Sequence, residues 1–130
     1  QAGQFDQGIS ETLASNSVEV DNFSRQMSLC VGFTKSGKLE QATSACDSAV
    51  SAAQQFHHVS SSDKREMRAY ALTNRGVLRL LQNNNLAALA DFKRAAELNR
   101  SDVSQHNLQR LELALNNANS GLDVAMVSAE

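Results

Sequence analysis

The sequence contains no proline and no tryptophan, a single tyrosine and only two cysteines. Proline normally makes up about one residue in twenty. It is kept out of helix interiors because it lacks the amide donor and its ring clashes with the preceding turn. A chain of 130 residues without one leaves every segment open to helix. Runs of Val, Ile and Tyr that would build strands are also missing, while Ala, Leu, Gln, Glu and Ser dominate. These absences give an all-α class. No stretch approaches the roughly 20 consecutive apolar residues that cross a bilayer, so membrane insertion is not expected. With a net charge of −2 there is no overall pull toward nucleic acid or anionic lipid. The one Tyr and five Phe show no base-stacking pattern. No Gly-rich phosphate loop, HExxH or GxSxG occurs, so the residues suggest neither an enzyme nor a cofactor.

What is present fits one globular domain: the chain is 42% hydrophobic and 20% charged. The N-terminal segment, 1–21, is polar, with apolar residues at Phe5, Ile9 and Leu13 that suit one short helix, Phe5 to Ala14, before a loop from Ser15 to Asp21. A helical domain over 22–117 follows. Its first hairpin, 22–56, pairs a helix from Asn22 to Ser36, capped by Asp21, with a helix from Leu39 to Phe56. Phe23, Met27, Cys30 and Phe33 recur every three or four positions in the first. Leu39, Ala42, Cys46, Ala49, Val50 and Ala53 do so in the second. Gly37 permits a left-handed stop between them, and so short a connection makes the two antiparallel. After the loop His57 to Ser62, a second hairpin spans 63–98. Asp63 and Glu66 form a box-like cap for a helix to Gln82, Asn83-Asn84-Asn85 make the turn, and Leu86, Leu89, Phe92 and Ala96 line a helix to Leu98. Asp102 and Gln105 repeat the cap for a fifth helix, 102–116, carrying Leu108, Leu111 and Leu115. The end, 118–130, is broken by Gly and Ser and is expected to be a mobile tail.

Laid over each other, the hairpins share a motif. Gly37, Ala42, Cys46 and Ala49 follow Leu29 and Phe33 in the first. Asn83, Ala88, Phe92 and Ala95 follow Gly76 and Arg79 in the second. Each alanine stands where two helices approach closely. The stretches Asn74-Arg75-Gly76, Ala88-Leu89-Ala90-Asp91-Phe92-Lys93-Arg94-Ala95 and Glu97-Leu98-Asn99 resemble the tetratricopeptide repeat, whose pattern places Leu-Gly, a Tyr and Ala-x3-Phe within about 34 residues. In the earlier stretch, Cys30 stands for the pattern's glycine and Cys46 for its phenylalanine. The chain departs from the pattern in lacking its tryptophan and closing proline, in carrying Arg79 where a packing Tyr is usual, and in placing Ala95 46 positions after Ala49. The second and third helices must be extended to absorb that length. The resemblance covers about Asn22 to Asn116 and implies stacked antiparallel helix hairpins (an α-α superhelix), with the fifth helix capping the C-terminal end.

The resemblance also implies a concave groove lined by the first helix of each hairpin. Its residues are Met27, Ser28, Val31 and Lys35 in the first unit, Tyr70, Thr73, Asn74, Val77 and Leu81 in the second, and His106, Asn107 and Arg110 on the fifth helix. Apolar and amide groups together suit a peptide laid across the groove, although the same residues could instead contact the first and last helices. Family members that grip chaperone tails use a Lys and an Asn where this chain has Met27 and Val31, so the match at Asn74 alone does not make that clamp. Arg68, Arg75 and Arg79 fall at helical spacing on one face. They could engage an acidic peptide, or form a solvated face or pair internally with Asp91, Glu97 or Glu112.

Cys30 and Cys46 sit nearly opposite each other about the turn at Gly37, so they are either a disulfide or two buried thiols. With a chain that opens at Gln1 rather than Met, this reads as an exported, periplasmic-type protein, the cytoplasm being the alternative. Two cysteines without further ligands do not make a zinc site, and adjacent His57 and His58 read as a polar loop. The expected function is that of a non-enzymatic module holding a protein or peptide partner in its groove. Self-association through edge helices is the alternative.

Overall fold

The computed structural model describes residues 17–57, 59–100, 102–116 and 126. They form five helices and no strand: α1 (Ser17–Lys35), α2 (Leu39–Gln54), α3 (Ser61–Leu81), α4 (Asn85–Leu98) and α5 (Asp102–Asn116). The short helix expected over Phe5 to Ala14 lies outside the described residues. Two of the expected caps are displaced. Asp21 is not a cap but lies within α1, which starts at Ser17 because Val20, 3% exposed, joins the core and draws an extra turn into the helix. The cap of α3 is Ser60, whose Oγ accepts from the Asp63 amide at 3.1 Å, so Asp63 sits in the first turn.

The two hairpins are closed by the same turn. After α1 the Lys38 amide donates to the Phe33 carbonyl at 2.9 Å and the Gly37 amide to that of Thr34 at 3.2 Å. After α3 the Asn84 amide donates to the Arg79 carbonyl at 2.8 Å and the Asn83 amide to that of Leu80 at 3.0 Å. Both are Schellman motifs, which need a left-handed residue at the same place. Gly37 supplies it with φ 76° and Asn83 with φ 61°. Asn is the side-chain-bearing residue that tolerates this region best.

This shared turn puts the hairpins in register, each residue of the first matching one 46 positions later. Ala42 and Ala88, and likewise Ala49 and Ala95, are fully buried. A close approach within each hairpin falls at another equivalent pair. In the second, a Cβ on Gly76 would lie 2.4 Å from Cε1 of Phe92, so the ring fills the space a side chain would need. In the first, the matching positions are Cys30 and Cys46, whose Cα atoms are 4.6 Å apart and whose sulfurs are bonded at 2.03 Å. Where one hairpin uses glycine and a ring, the other uses a disulfide.

The hairpins stack through α2 and α3, with α1 reaching α3 and α5 packing on α4. One cluster joins Val20, Phe23 and Met27 of α1 with Ala49, Val50 and Ala53 of α2 and Met67, Ala71 and Leu72 of α3. Phe23 meets Phe56 edge to face at 5.9 Å, a favoured aromatic arrangement. A second surrounds the disulfide with Ala42, Ala45 and Leu78. The third joins α3, α4 and α5 through Val77, Leu80, Ala88, Phe92 and Leu111. Met126 packs against this third cluster. The rest of the expected tail, 118–130, lies outside the described residues.

Candidate protein-interaction site

The groove expected along α1, α3 and α5 is largely closed. Met27, Thr73, Asn74 and Asn107 are at most 1% exposed, and Val31 and Val77 are 8% and 7% exposed. These six positions are corrected from groove surface to interior. The physical reason lies in α3, which is packed by α1, α2 and α4 and linked to α5 by the Thr73 and Ser104 hydroxyls, 3.4 Å apart. A helix surrounded in this way has no free inner face. Ser28, Lys35, Leu81 and His106 remain exposed and Tyr70 and Arg110 are half-buried, but they do not form a continuous apolar strip.

The basic face is also spent within the fold. Arg75 makes a bidentate contact with Asp91, Nε to Oδ2 at 3.0 Å and Nη2 to Oδ1 at 2.9 Å, and reaches Asp47 of α2 at 3.3 Å. Arg79 adds a bond of 3.1 Å to the same Asp91 oxygen as Nε of Arg75. Asp91 has 5% of its side chain exposed, so its charge is neutralised by protein rather than water. Burial of Arg75 works against its charged form, but the hydrogen bonds and charge of Asp91, then of Asp47, outweigh it and hold the guanidinium above its ordinary range. Internal pairing with Asp91, one of the readings open from the sequence, accounts for two of the three arginines. Arg68 is half-buried, and its Nε has no hydrogen-bond partner among the described residues.

A different surface is open. Along the seam between α1 and α2 runs a groove of about 480 Å³, lined by Gln26, Leu29 and Phe33 of α1 and Glu40, Gln41, Ser44, Ala45 and Ser48 of α2. Leu29, Phe33 and Ala45 give it an apolar floor, and Leu29 is 38% exposed. The register between hairpins says what kind of surface this is. Its floor residues match Arg75, Arg79 and Asp91 in the second hairpin, which face back toward α2 through the Arg75–Asp47 pair and a 2.8 Å bond from Gln82 to Thr43. On the second hairpin α2 packs against the α3 side of this face, while Leu86, Ala90 and Arg94 on the α4 side stay exposed. On the first, no described residue takes the place of α2.

The open face is only partly apolar. Where α3 presents Met67, Ala71 and Leu78 to the preceding helices, α1 carries Asp21, Arg25 and Gly32, all exposed. A signal for this groove lies in helical spacing: Gln26, Leu29 and Phe33 form a second stripe beside the core stripe Phe23, Met27 and Cys30. Reading it needed knowledge of which side of the seam α3 occupies.

Among the described residues no helix is long and apolar enough to cross a membrane. No three His, Cys, Asp or Glu side chains among them are grouped to hold a metal ion. No protein-family model, curated protein or solved structure matches this chain.

Proposed function

We propose that the chain is a non-enzymatic protein-binding module built as a tetratricopeptide-like stack, and that it receives an amphipathic helix of a partner protein in the α1–α2 groove. The carrying observation is the register between hairpins: on the second, α2 packs along the α3 side of the equivalent seam, and on the first no described residue takes that place beside α1. An occupant placed as α2 is placed on α3 would set small apolar residues over Leu29, Phe33 and Ala45 and meet the polar rim of Gln26, Gln41, Ser44 and Ser48. The twin Schellman turns, the buried alanine pairs and the Gly76–Phe92 approach support the stacked-repeat reading. The α5 helix serves as the cap at the far end. The disulfide supports placement in an oxidising, exported compartment.

The polar share of this face favours a partner that comes and goes, because permanent interfaces are larger and more apolar. Selection from a displayed library of designed amphipathic helices tests the proposal. Winners are expected to carry small apolar residues at i, i+3 or i+4 and i+7, and to lose at least tenfold in affinity on Leu29→Glu. Winners indifferent to Leu29→Glu would sink it. A second reading, self-association through edge helices, draws on the exposure of Val18 on α1 and of Leu113 and Leu115 on α5. A mass by light scattering that rises with concentration would favour it.

A further inference from the structure

The stripe of α3 that meets α2 has a counterpart on α1 that stays exposed. Ala71, Arg75, Leu78 and Gln82 share one face of α3 and the turn that ends it, at helical spacing. Arg75 and Gln82 bond to Asp47 and Thr43 of α2. Leu78 shares a buried cluster with Ala42, Ala45 and Cys46 of α2, and Ala71 shares one with Ala49, Val50 and Ala53. Shifted back by 46 positions, the stripe reads Arg25, Leu29, Gly32 and Ser36, all four exposed. Leu78, a large side chain set among small residues, is thus replaced by Gly32, and nothing lies within 4 Å of the place its Cβ would take. Glycine weakens a helix relative to alanine, and no turn or close contact among the described residues calls for one at 32. Ala71, in an apolar cluster, is replaced by Arg25, which has no ion pair among the described residues.

We propose that the partner helix reverses the shape of the α2–α3 contact. Beside the small residues over Leu29 and Phe33, it carries one large apolar side chain that lodges over Gly32 and a carboxylate that pairs with Arg25. The inference rests on the binding reading and names the chemistry of its partner. Direction follows from the same comparison: from Gln82 back to Arg75, the α2 partners run forward from Thr43 to Asp47, so an occupant placed like α2 runs antiparallel to α1. It meets Gly32 first and Arg25 seven positions away, two turns on, so the acid follows the large residue by about seven. A charge at such a rim fixes register and speeds encounter more than it adds affinity. The full chain and a displayed library of amphipathic helices test this. Winners are expected to carry Leu, Met or Phe at one position and Asp or Glu about seven residues later. Gly32→Leu fills the hollow and should weaken such a winner at least about tenfold, a loss largely recovered when the winner's large residue is changed to Ala. Gly32→Ala should raise the urea midpoint yet lower affinity, opposite signs that a merely structural glycine does not give. Arg25→Glu should slow association about tenfold at low salt, with recovery when the winner's acid is changed to Lys. Winners that depend on Leu29 but tolerate Gly32→Leu and Gly32→Ala, or that carry no acid toward Arg25, would overturn this inference and leave the groove reading standing. A library without winners, or winners indifferent to Leu29→Glu, would overturn both.

Discussion

Replacing Gly76 with alanine adds one methyl group at a close approach of α3 and α4. Its Cβ would lie 2.4, 2.7 and 3.0 Å from three atoms of the Phe92 ring, whereas carbon atoms rest at about 3.5–4.0 Å. The ring would have to retreat by about 1 Å. It has nowhere to go, because Phe92 is fully buried among Val77, Leu80, Ala88 and Leu111 and such interiors are close-packed. Overpacking of this kind costs about 1–3 kcal/mol, and a 2.4 Å contact belongs at the upper end. Against it, alanine is favoured over glycine in a helix interior by about 1 kcal/mol. The expected net loss is about 2 kcal/mol, or roughly 8 °C in Tm for a domain of this size. Gly32 of α1 is the internal control: nothing lies within 4 Å of its Cβ position, so Gly32→Ala should stabilise by about 1 kcal/mol. Urea unfolding followed by circular dichroism reads both. If Gly76→Ala stabilises as Gly32→Ala does, the tight contact between α3 and α4 is wrong. A smaller penalty for Gly76→Ala in a Phe92→Leu background would identify the ring as the obstacle.

Three further perturbations bear on other parts of the fold. Reducing the disulfide, or replacing both cysteines with alanine, opens a link across 16 residues and should lower stability by about 3 kcal/mol; a loss under about 1 kcal/mol in reducing urea titrations would count against it. Arg75→Ala removes a bidentate partner from nearly buried Asp91 and should cost about 2–3 kcal/mol, against about 1 kcal/mol for Arg79→Ala. Equal losses, or weakened binding of a groove-selected helix without a loss of stability, would return these arginines to the surface role. At the second turn, Asn83→Gly should change stability by less than about 0.5 kcal/mol and Asn83→Val lower it by roughly 1–2 kcal/mol, because only the β-branched side chain resists φ 61°; equal unfolding midpoints for the two would remove the left-handed turn.

The sequence carried the local structure well, because helices and turns are written in short-range spacing. Apolar residues three and four apart placed the helix bodies, and Gly37 and Asn83 placed the stops. Cysteines on facing sides of a tight hairpin pointed to their pairing, one of the two readings left open. Helix starts were less legible. The run Ser60, Ser61, Ser62, Asp63 offers several caps in succession, and only the folded backbone chooses Ser60. Exposure was least legible, because it depends on which helix covers which face. Thr73, Asn74 and Asn107 are polar and at helical spacings that suit a groove, yet they lie in the interior. Arg75 and Arg79 look like a free basic face until Asp91 is brought across the hairpin to meet them. The α1–α2 groove was hidden for the same reason, since Phe33 reads as part of the core stripe, and Leu29 only as a position of the repeat, until the side taken by α3 is known.

The most direct test of the central claim is an amide chemical-shift map of the full chain titrated with a helix selected for binding. The account predicts saturable shifts concentrated at Gln26, Leu29, Phe33, Ala45 and Ser48, abolished by Leu29→Glu. Shifts centred on α3 or α5, with the α1–α2 seam unmoved at saturation, would contradict it.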